Sequence, residues 1–380
     1  MMNKTLSVYI HIPFCKQKCN YCDFLSFQGR ESLFLSYKNA LLEEIKNCPE
    51  LEDSRIETIF FGGGTPTLLP AEFLCEILEA VQKKNVRSDA EITVECNPET
   101  VTRCYLSALK AAGVNRMSFG LQSSHNRLLE KLGRMHTVEK FESIYNEAIR
   151  IGFTNINIDV MFALPGQTME DFRQTLDYIV SINPAHISSY GLTIEEDTPF
   201  YEAVNNSELA LPDEALDREM YYLTNDVLSR NGYNRYEISN FAKSGFESKH
   251  NKAYWMHKDY IGLGLGAHSF IKNVRFNNLT ELDNYIEAKG EIQLIRQGLT
   301  AIDLTEAMSE FMFLGLRMTK GICREEFKVR FSYNIFDIYG EQLIELEKIG
   351  LIKNTEGRIY LTKNGIDFSN VVFSTFVKIG

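Results

Sequence analysis

Six short β-rich runs, separated by segments with apolar residues at helical spacing, fill the first half of the chain. No other feature narrows the fold as much. The runs are Leu6–His11, Ile56–Phe61, Ala90–Cys96, Arg116–Phe119, Asn155–Met161 and His186–Thr193. Between them, Tyr37–Lys46, Ala71–Val81, Tyr105–Ala112, Val138–Ile151 and Asp171–Ile182 have amphipathic helical patterns. A strand followed by a helix and a parallel strand crosses over right-handed, so repeated units curl a sheet with helices outside it. Closure needs eight repeats, and here the pattern changes near Glu195 after six. The expected class is therefore α/β, an open, partial (β/α)6 TIM-type barrel over residues 1–210. Barrels of this kind carry their sites on the loops after strand ends.

Residues 211–300 read as a barrel extension: a helix over Leu211–Arg230, a strand-like YNRYEIS, and a glycine-rich IGLGLGAHSF. Residues 301–380 read as a compact α+β tail. Helices over Leu304–Arg317, Glu325–Arg330 and Ile335–Ile349 precede a hairpin across Glu356 and Gly357, an order that resembles a winged helix. Such folds often bind DNA, but 40 basic against 51 acidic residues leave a net charge of -11 and no basic recognition helix. Nucleic acid is excluded as a partner on that ground. The least charged stretch, Tyr178–Ile194, is too polar for a membrane span, and the amino-terminal MMNKTLSVYIHIPFC lacks the apolar core of a signal peptide. A cytoplasmic protein is expected.

Five of the eight cysteines are scattered through apolar patterns, whereas Cys15, Cys19 and Cys22 fall in C-K-Q-K-C-N-Y-C after the first strand. Three thiolates so spaced can converge on one metal centre. Zinc would want a fourth protein ligand, for which His11 is the candidate. A cubane iron-sulfur cluster held by only three cysteines would keep one iron open to a small molecule. After the second strand, Gly62-Gly63-Gly64-Thr65-Pro66 removes side chains so that a ligand can approach the backbone, or else makes a tight turn. Glu95, Gln122, Arg134 and Asp159 stand near later strand ends, where each would do as a salt bridge or a cap.

The C-x3-C-x2-C spacing with Tyr21 before the last cysteine resembles the signature of radical S-adenosylmethionine (SAM) enzymes. The resemblance implies that Cys15, Cys19 and Cys22 hold a [4Fe-4S] cluster whose fourth iron is chelated by SAM. The GGTP segment, Gly63, Gly64 and Thr65, would contact the SAM amino group. The order and spacing of the remaining polar residues are similar to one subgroup, the anaerobic coproporphyrinogen oxidase family. There Tyr9 would pack by the cluster, Tyr21 would join the SAM-binding residues, and Glu95, Gln122, Arg134 and Asp159 would divide between two SAM sites.

Three features separate the branches of that family. The oxidases carry a further cysteine two residues after the third ligand, where this chain has Phe24, and they have a long amino-terminal extension, where 14 residues precede Cys15 here. The run H-N-x-x-Y-W, His250, Asn251, Tyr254 and Trp255, resembles the haem-binding motif of the haem-chaperone branch, HemW. Taken as residues alone, the run suits better a loop histidine bonded to a carboxylate beside a core tryptophan, which is the commoner arrangement. The resemblance implies haem as a third cofactor with His250 on its iron, delivery to membrane-associated respiratory acceptor proteins, and room for a cluster-assisted homodimer. The other reading is catalysis: oxygen-independent oxidative decarboxylation of coproporphyrinogen III.

Overall fold

The computed structural model describes residues 5–355 and 357–377. Six strands, β1 (Thr5–Ile12), β2 (Arg55–Gly63), β3 (Val86–Cys96), β4 (Arg116–Gln122), β5 (Asn155–Phe162) and β6 (His186–Gly191), pair in that order and run parallel. Their helices, Phe34–Asn47, Ala71–Gln82, Arg103–Ala111, Val138–Ile151 and Met169–Ile182, bury apolar stripes against the sheet. Helix ends follow local chemistry. Thr137 and Thr168 accept from backbone N–H groups at helix starts, Asp171 completes a capping box, and Gly152 closes a helix at φ +100°.

The remaining strands extend both edges. β7 (Asn234–Arg235) and β8 (Asn240–Ala242) add to β6, while β9 (Tyr260–Leu263), β10 (His268–Ile271), β11 (Val274–Asn278) and β12 (Arg296–Ala301) continue from β1. The order is β12-β11-β10-β9-β1-β2-β3-β4-β5-β6-β8-β7, and its two end strands do not pair, so the barrel is open. β9 is parallel to β1, which the six-unit reading did not anticipate. The segment YNRYEIS is no single strand: Glu237 breaks it by accepting from Ser239 N at 3.0 Å.

The carboxyl-terminal part has its own core, from Ala307 to Phe376, around helices Leu304–Gly315, Arg324–Phe331 and Ile335–Lys348. With β13 (Ile322–Cys323), β14 (Ile352–Thr355) and β15 (Arg358–Leu361), these run helix, strand, helix, helix, strand, strand, the winged-helix order. The expected hairpin joins β14 to β15; Glu356, half of its expected turn, lies outside the described residues. Glu310 ties this part to the barrel, accepting from Arg275 at 2.9 and 3.0 Å and from His257 Nε2 at 2.8 Å. Among the described residues no helix is long and apolar enough to cross a membrane.

Glu44 is the main polar joint between the barrel and its extension. One per cent exposed, it accepts from Gly264 N at 2.9 Å, Asn278 Nδ2 at 2.7 Å and Tyr285 hydroxyl at 2.5 Å. Beside it the Tyr37 hydroxyl donates to the His11 carbonyl at 2.7 Å. Gly264, at φ +90°, lies so close that a Cβ would come within 2.5 Å of that hydroxyl. Replacing Glu44 by Ala strands three buried donors, so urea unfolding should show a loss of about 3 kcal/mol at an unchanged m-value.

Candidate metal and cofactor site

The three cysteines stand on an irregular loop between β1 and helix Phe34–Asn47. A loop has no ladder of its own, so its backbone groups must be met from outside. Cys15 N and Phe27 O pair at 3.0 Å, Phe27 N and Pro13 O at 2.8 Å, Asn20 N and Leu132 O at 3.0 Å, and Phe200 N and Asn20 O at 2.9 Å. Gln17 and Asn20 side chains add bonds to the carbonyls of Gly133 and Lys131. The barrel floor holds the loop through His11: its Nε2 donates to the Leu25 carbonyl at 2.9 Å, and its Nδ1 accepts from the Tyr9 hydroxyl at 3.0 Å. Both ring nitrogens are thereby used. His11 has none left for a zinc ion, and the zinc reading loses its fourth ligand.

The thiols of Cys15, Cys19 and Cys22 line one cavity with Tyr21, Gly63, Gly64, Thr65, Glu95, Gln122, Arg134 and Asp159. Every residue assigned to the cluster or to SAM from the sequence is in that wall except Tyr9, which lies just beneath it: a Cβ on Gly62 would come within 3.0 Å of the Tyr9 ring and 3.1 Å of Glu95 Oε2. Among the described residues no trio of Cys, His, Asp or Glu closes on a single metal-ion position. Three thiols around one cavity suit a bulky cluster better than a lone ion.

Each thiol has a hydrogen-bond donor. Thr65 Oγ1 reaches Cys15 Sγ at 3.6 Å, Arg134 Nη1 reaches Cys19 Sγ at 3.6 Å, and the Phe24 backbone serves Cys22. Burial, opposed by that backbone bond, pushes the Cys22 thiol up to about 11. Backbone shape makes the room. Gly63, at φ +112°, would drive a Cβ to 2.7 Å from the His11 ring, and one on Gly64 would stand 2.7 Å from Phe14 O and 3.0 Å from Cys15 Sγ.

The polar floor comes from strand ends. Burial, then the charge of Asp159, push Glu95 up to about 8, against the pull of the Gly63 N–H and Arg116. Asp159 accepts from Asn157 Nδ2 at 2.8 Å and from Ser118 Oγ at 3.3 Å, and burial raises its pKa too. Gln122 sits at φ +70°, unusual for a residue with a side chain, where β4 slips register against β5. The slip places Gln122 and Arg134 over Gly120, whose carbonyl accepts from Arg134 Nη2 at 2.6 Å. Asn97, expected at a strand end, also lies in this wall, whereas sequence reading passed over Gln17 and Ser118, single polar residues without a motif.

H-N-x-x-Y-W lies elsewhere, on a helix, Lys249–Trp255, rather than a loop. Glu91 of β3 caps it, accepting from Lys249 N and His250 N at 3.0 Å each. His250, 1% exposed, bonds Thr58 Oγ1 at 2.7 Å and Tyr254 hydroxyl at 3.0 Å, and its ring stacks on Phe60 at 4.9 Å. Burial and the Arg116 charge depress its pKa to about 3, which keeps it neutral. Trp255 points away from this group, with the Arg317 guanidinium 4.3 Å from its ring.

Comparison with known proteins agrees with this geometry. Residues 9–179 match the radical SAM superfamily model, and residues 302–368 match the HemN C-terminal domain. The heme chaperone HemW of Bacillus subtilis is 37% identical over 374 residues, 98% of this chain and 99% of that protein. The chain belongs to the HemW family of radical SAM proteins. The Lactococcus lactis HemW is 36% identical over 99% of this chain and 98% of its own. Coproporphyrinogen III oxidase (HemN) of Escherichia coli shares the fold at a TM-score of 0.85 and 24% identity, covering 98% of this chain and 90% of that one. Membership in the radical SAM superfamily implies a [4Fe-4S] cluster and SAM, and the thiol-lined cavity fits them.

Two outcomes follow from the cavity wall. A carboxyl with its pKa raised to about 8 holds a proton that the unfolded chain releases, so its contribution weakens as pH rises from about 4.5 to about 8. Glu95→Gln should therefore raise stability relative to wild type by about 4 kcal/mol at pH 8 and leave it unchanged at pH 4, measured by urea unfolding. Removing the positive charge at Cys19 favours the oxidised cluster. In potentiometric EPR of the reconstituted protein, Arg134→Gln should lower the midpoint by on the order of 59 mV, with Arg134→Lys restoring part of it.

Proposed function

We propose that this protein is a cytoplasmic haem carrier that binds haem and passes it to membrane-associated respiratory acceptor proteins, without oxidising coproporphyrinogen. The observation that carries the reading is kinship along the whole chain with relatives described as heme chaperones, at 31–37% identity. Position 24 supports it: the oxidase branch has a fourth cysteine there, and here Phe24 stands 60% exposed at the cavity rim.

In this reading Cys15, Cys19 and Cys22 hold the [4Fe-4S] cluster. Tyr9, Tyr21, Gly63, Gly64, Thr65, Glu95, Gln122, Arg134 and Asp159 bind SAM. When bound, cluster and SAM together supply one-electron cleavage of a sulfonium. The chain's own part is to hold them: Thr65 and Arg134 steady the thiols, and Gly63 and Gly64 admit the ligand. Burial keeps Glu95 protonated near neutrality, so that it can donate a hydrogen bond. His250, Asn251, Tyr254 and Trp255 form the haem motif. The units are the barrel over 1–210, the extension over 211–300 and the winged part over 301–380, and two copies associate when the cluster is present.

Anaerobic reconstitution followed by two assays tests this. Haemin titration should give a saturable Soret band, and incubation with coproporphyrinogen III and SAM should yield no protoporphyrinogen by chromatography. Turnover with consumption of SAM, or failure to bind haemin, overturns the assignment.

A further inference from the structure

β12 ends the large sheet on one side, and residues 297–301 are all exposed, so among the described residues nothing covers its outer edge. Leu299 is 66% exposed, and Leu294 and Leu304, just before and just after the strand, are 57% and 48% exposed. Apolar side chains along an open edge favour pairing with another strand.

Hydrogen-bond parity fixes what the edge offers. Leu279 N donates to Ile295 O at 2.8 Å and Ile302 N to Asn273 O at 2.7 Å, so the pairs Asn278–Arg296 and Val274–Ala301 exchange no bonds between themselves. The N–H and C=O of Ala301 and the C=O of Arg296 therefore point away from β11, to the open side. The Arg296 N–H is used by Ile292 O. Positions 296 and 301 differ by an odd interval, which would set them on opposite edges of a regular strand. A bulge at Gly298, φ +61°, where the register slips between Arg275 and Asn277, brings both to one edge.

Two such edges fit each other. A two-fold axis through the bulge, perpendicular to the sheet, runs the strands antiparallel and sets Ala301 of each copy opposite Arg296 of the other. Each Ala301 N–H then donates to an Arg296 carbonyl across the axis. Leu299 lies next to the axis and meets its own copy, while Leu294 comes alongside Leu304 at the far end of the second strand. A foreign strand has no reason to match the bulge; a second copy carries it by identity. Charge agrees. The chain has a net charge of -11, so two copies repel, but residues 297–302 are uncharged and the Arg296 guanidinium is paired with Glu50 at 2.8 and 2.7 Å. The edge is also tied to the thiol loop: Ile295 O holds Leu279 N, Leu279 O holds Gly266 N at 2.7 Å, and a Cβ on Gly266 would come within 2.5 Å of Leu25.

We propose that β12 is the self-association surface of this protein, pairing antiparallel with β12 of a second copy around the Gly298 bulge. The proposal rests on the reading that two copies associate when the cluster is present, and it names the surface they use.

Sedimentation velocity of the full-length protein, reconstituted and cluster-free, tests this, together with hydrogen exchange of the peptide spanning residues 296–302. Reconstituted wild type should sediment as a dimer and protect that peptide more than the diluted monomer does. Ala301→Pro removes the outward donor and leaves the bonds to β11 in place, and Leu299→Glu opposes two charges at the axis. Each should raise the dimer dissociation constant about tenfold or more, with iron content and haemin affinity unchanged. Wild-type dimerisation and exchange in both variants overturns the edge while the association reading stands. A dimer that forms without the cluster and that both variants break keeps the edge and overturns its dependence on the cluster. A monomeric wild type in both forms overturns the two together.

Discussion

Three thiols can share a cluster only if the loop that bears them keeps its shape, and this loop has no regular structure to keep it. Its shape is imposed from several sides. The His11 ring holds the Leu25 carbonyl from below, the 131–133 carbonyls hold Gln17 and Asn20, and the Phe14–Phe27 pairing closes the loop on itself. His11 itself is held by Tyr9 through its ring and by Tyr37 through its carbonyl. The Tyr37 hydroxyl accepts in turn from Leu265 N, in the turn after β9. Glu44 bonds the neighbouring Gly264, so the buried carboxylate and the cysteine loop belong to one connected set of hydrogen bonds.

That connectivity gives the extension a purpose the barrel alone would not explain. β9 pairs with β1 and brings Gly264 and Gly266 behind the loop, where Cβ atoms would strike Tyr37 and Leu25. The helix that follows β8 crosses to Thr58 and Glu91 in β2 and β3, and then hands the chain to the winged part through Trp255, His257 and Glu310. Packing in such joints leaves little slack, since buried polar groups without partners are costly.

Several site residues were legible in the sequence because their chemistry is written in spacing. Cys15, Cys19 and Cys22 stand out by clustering, and Gly63 and Gly64 by the need for bare backbone beside them. Glu95, Gln122, Arg134 and Asp159 were legible only in aggregate, as polar residues at strand ends; no spacing rule announces that Arg134 reaches Cys19. The haem motif was legible as a string, but its placement on a helix was not. A five-residue gap means one thing in a loop and another on a helix, where it turns His250 and Trp255 to different sides. YNRYEIS was misread because the local bond from Ser239 N to Glu237 breaks it, and the parallel pairing of β9 was missed because a distant partner, β1, sets it.

The amino-acid sequence by itself determined the alternation of strands and helices, the open count of six units, the thiol triad and the glycine turn. Each of these depends on periodicity or on residue type at short range. Only the tertiary structure decided which donors meet the three thiols, which groups occupy the nitrogens of His11 and His250, and that the extension buttresses the cysteine loop. Those are contacts between residues tens to hundreds of positions apart. Their partners are chosen by packing and by the cost of leaving a buried polar group unpaired, and neither is written in local pattern.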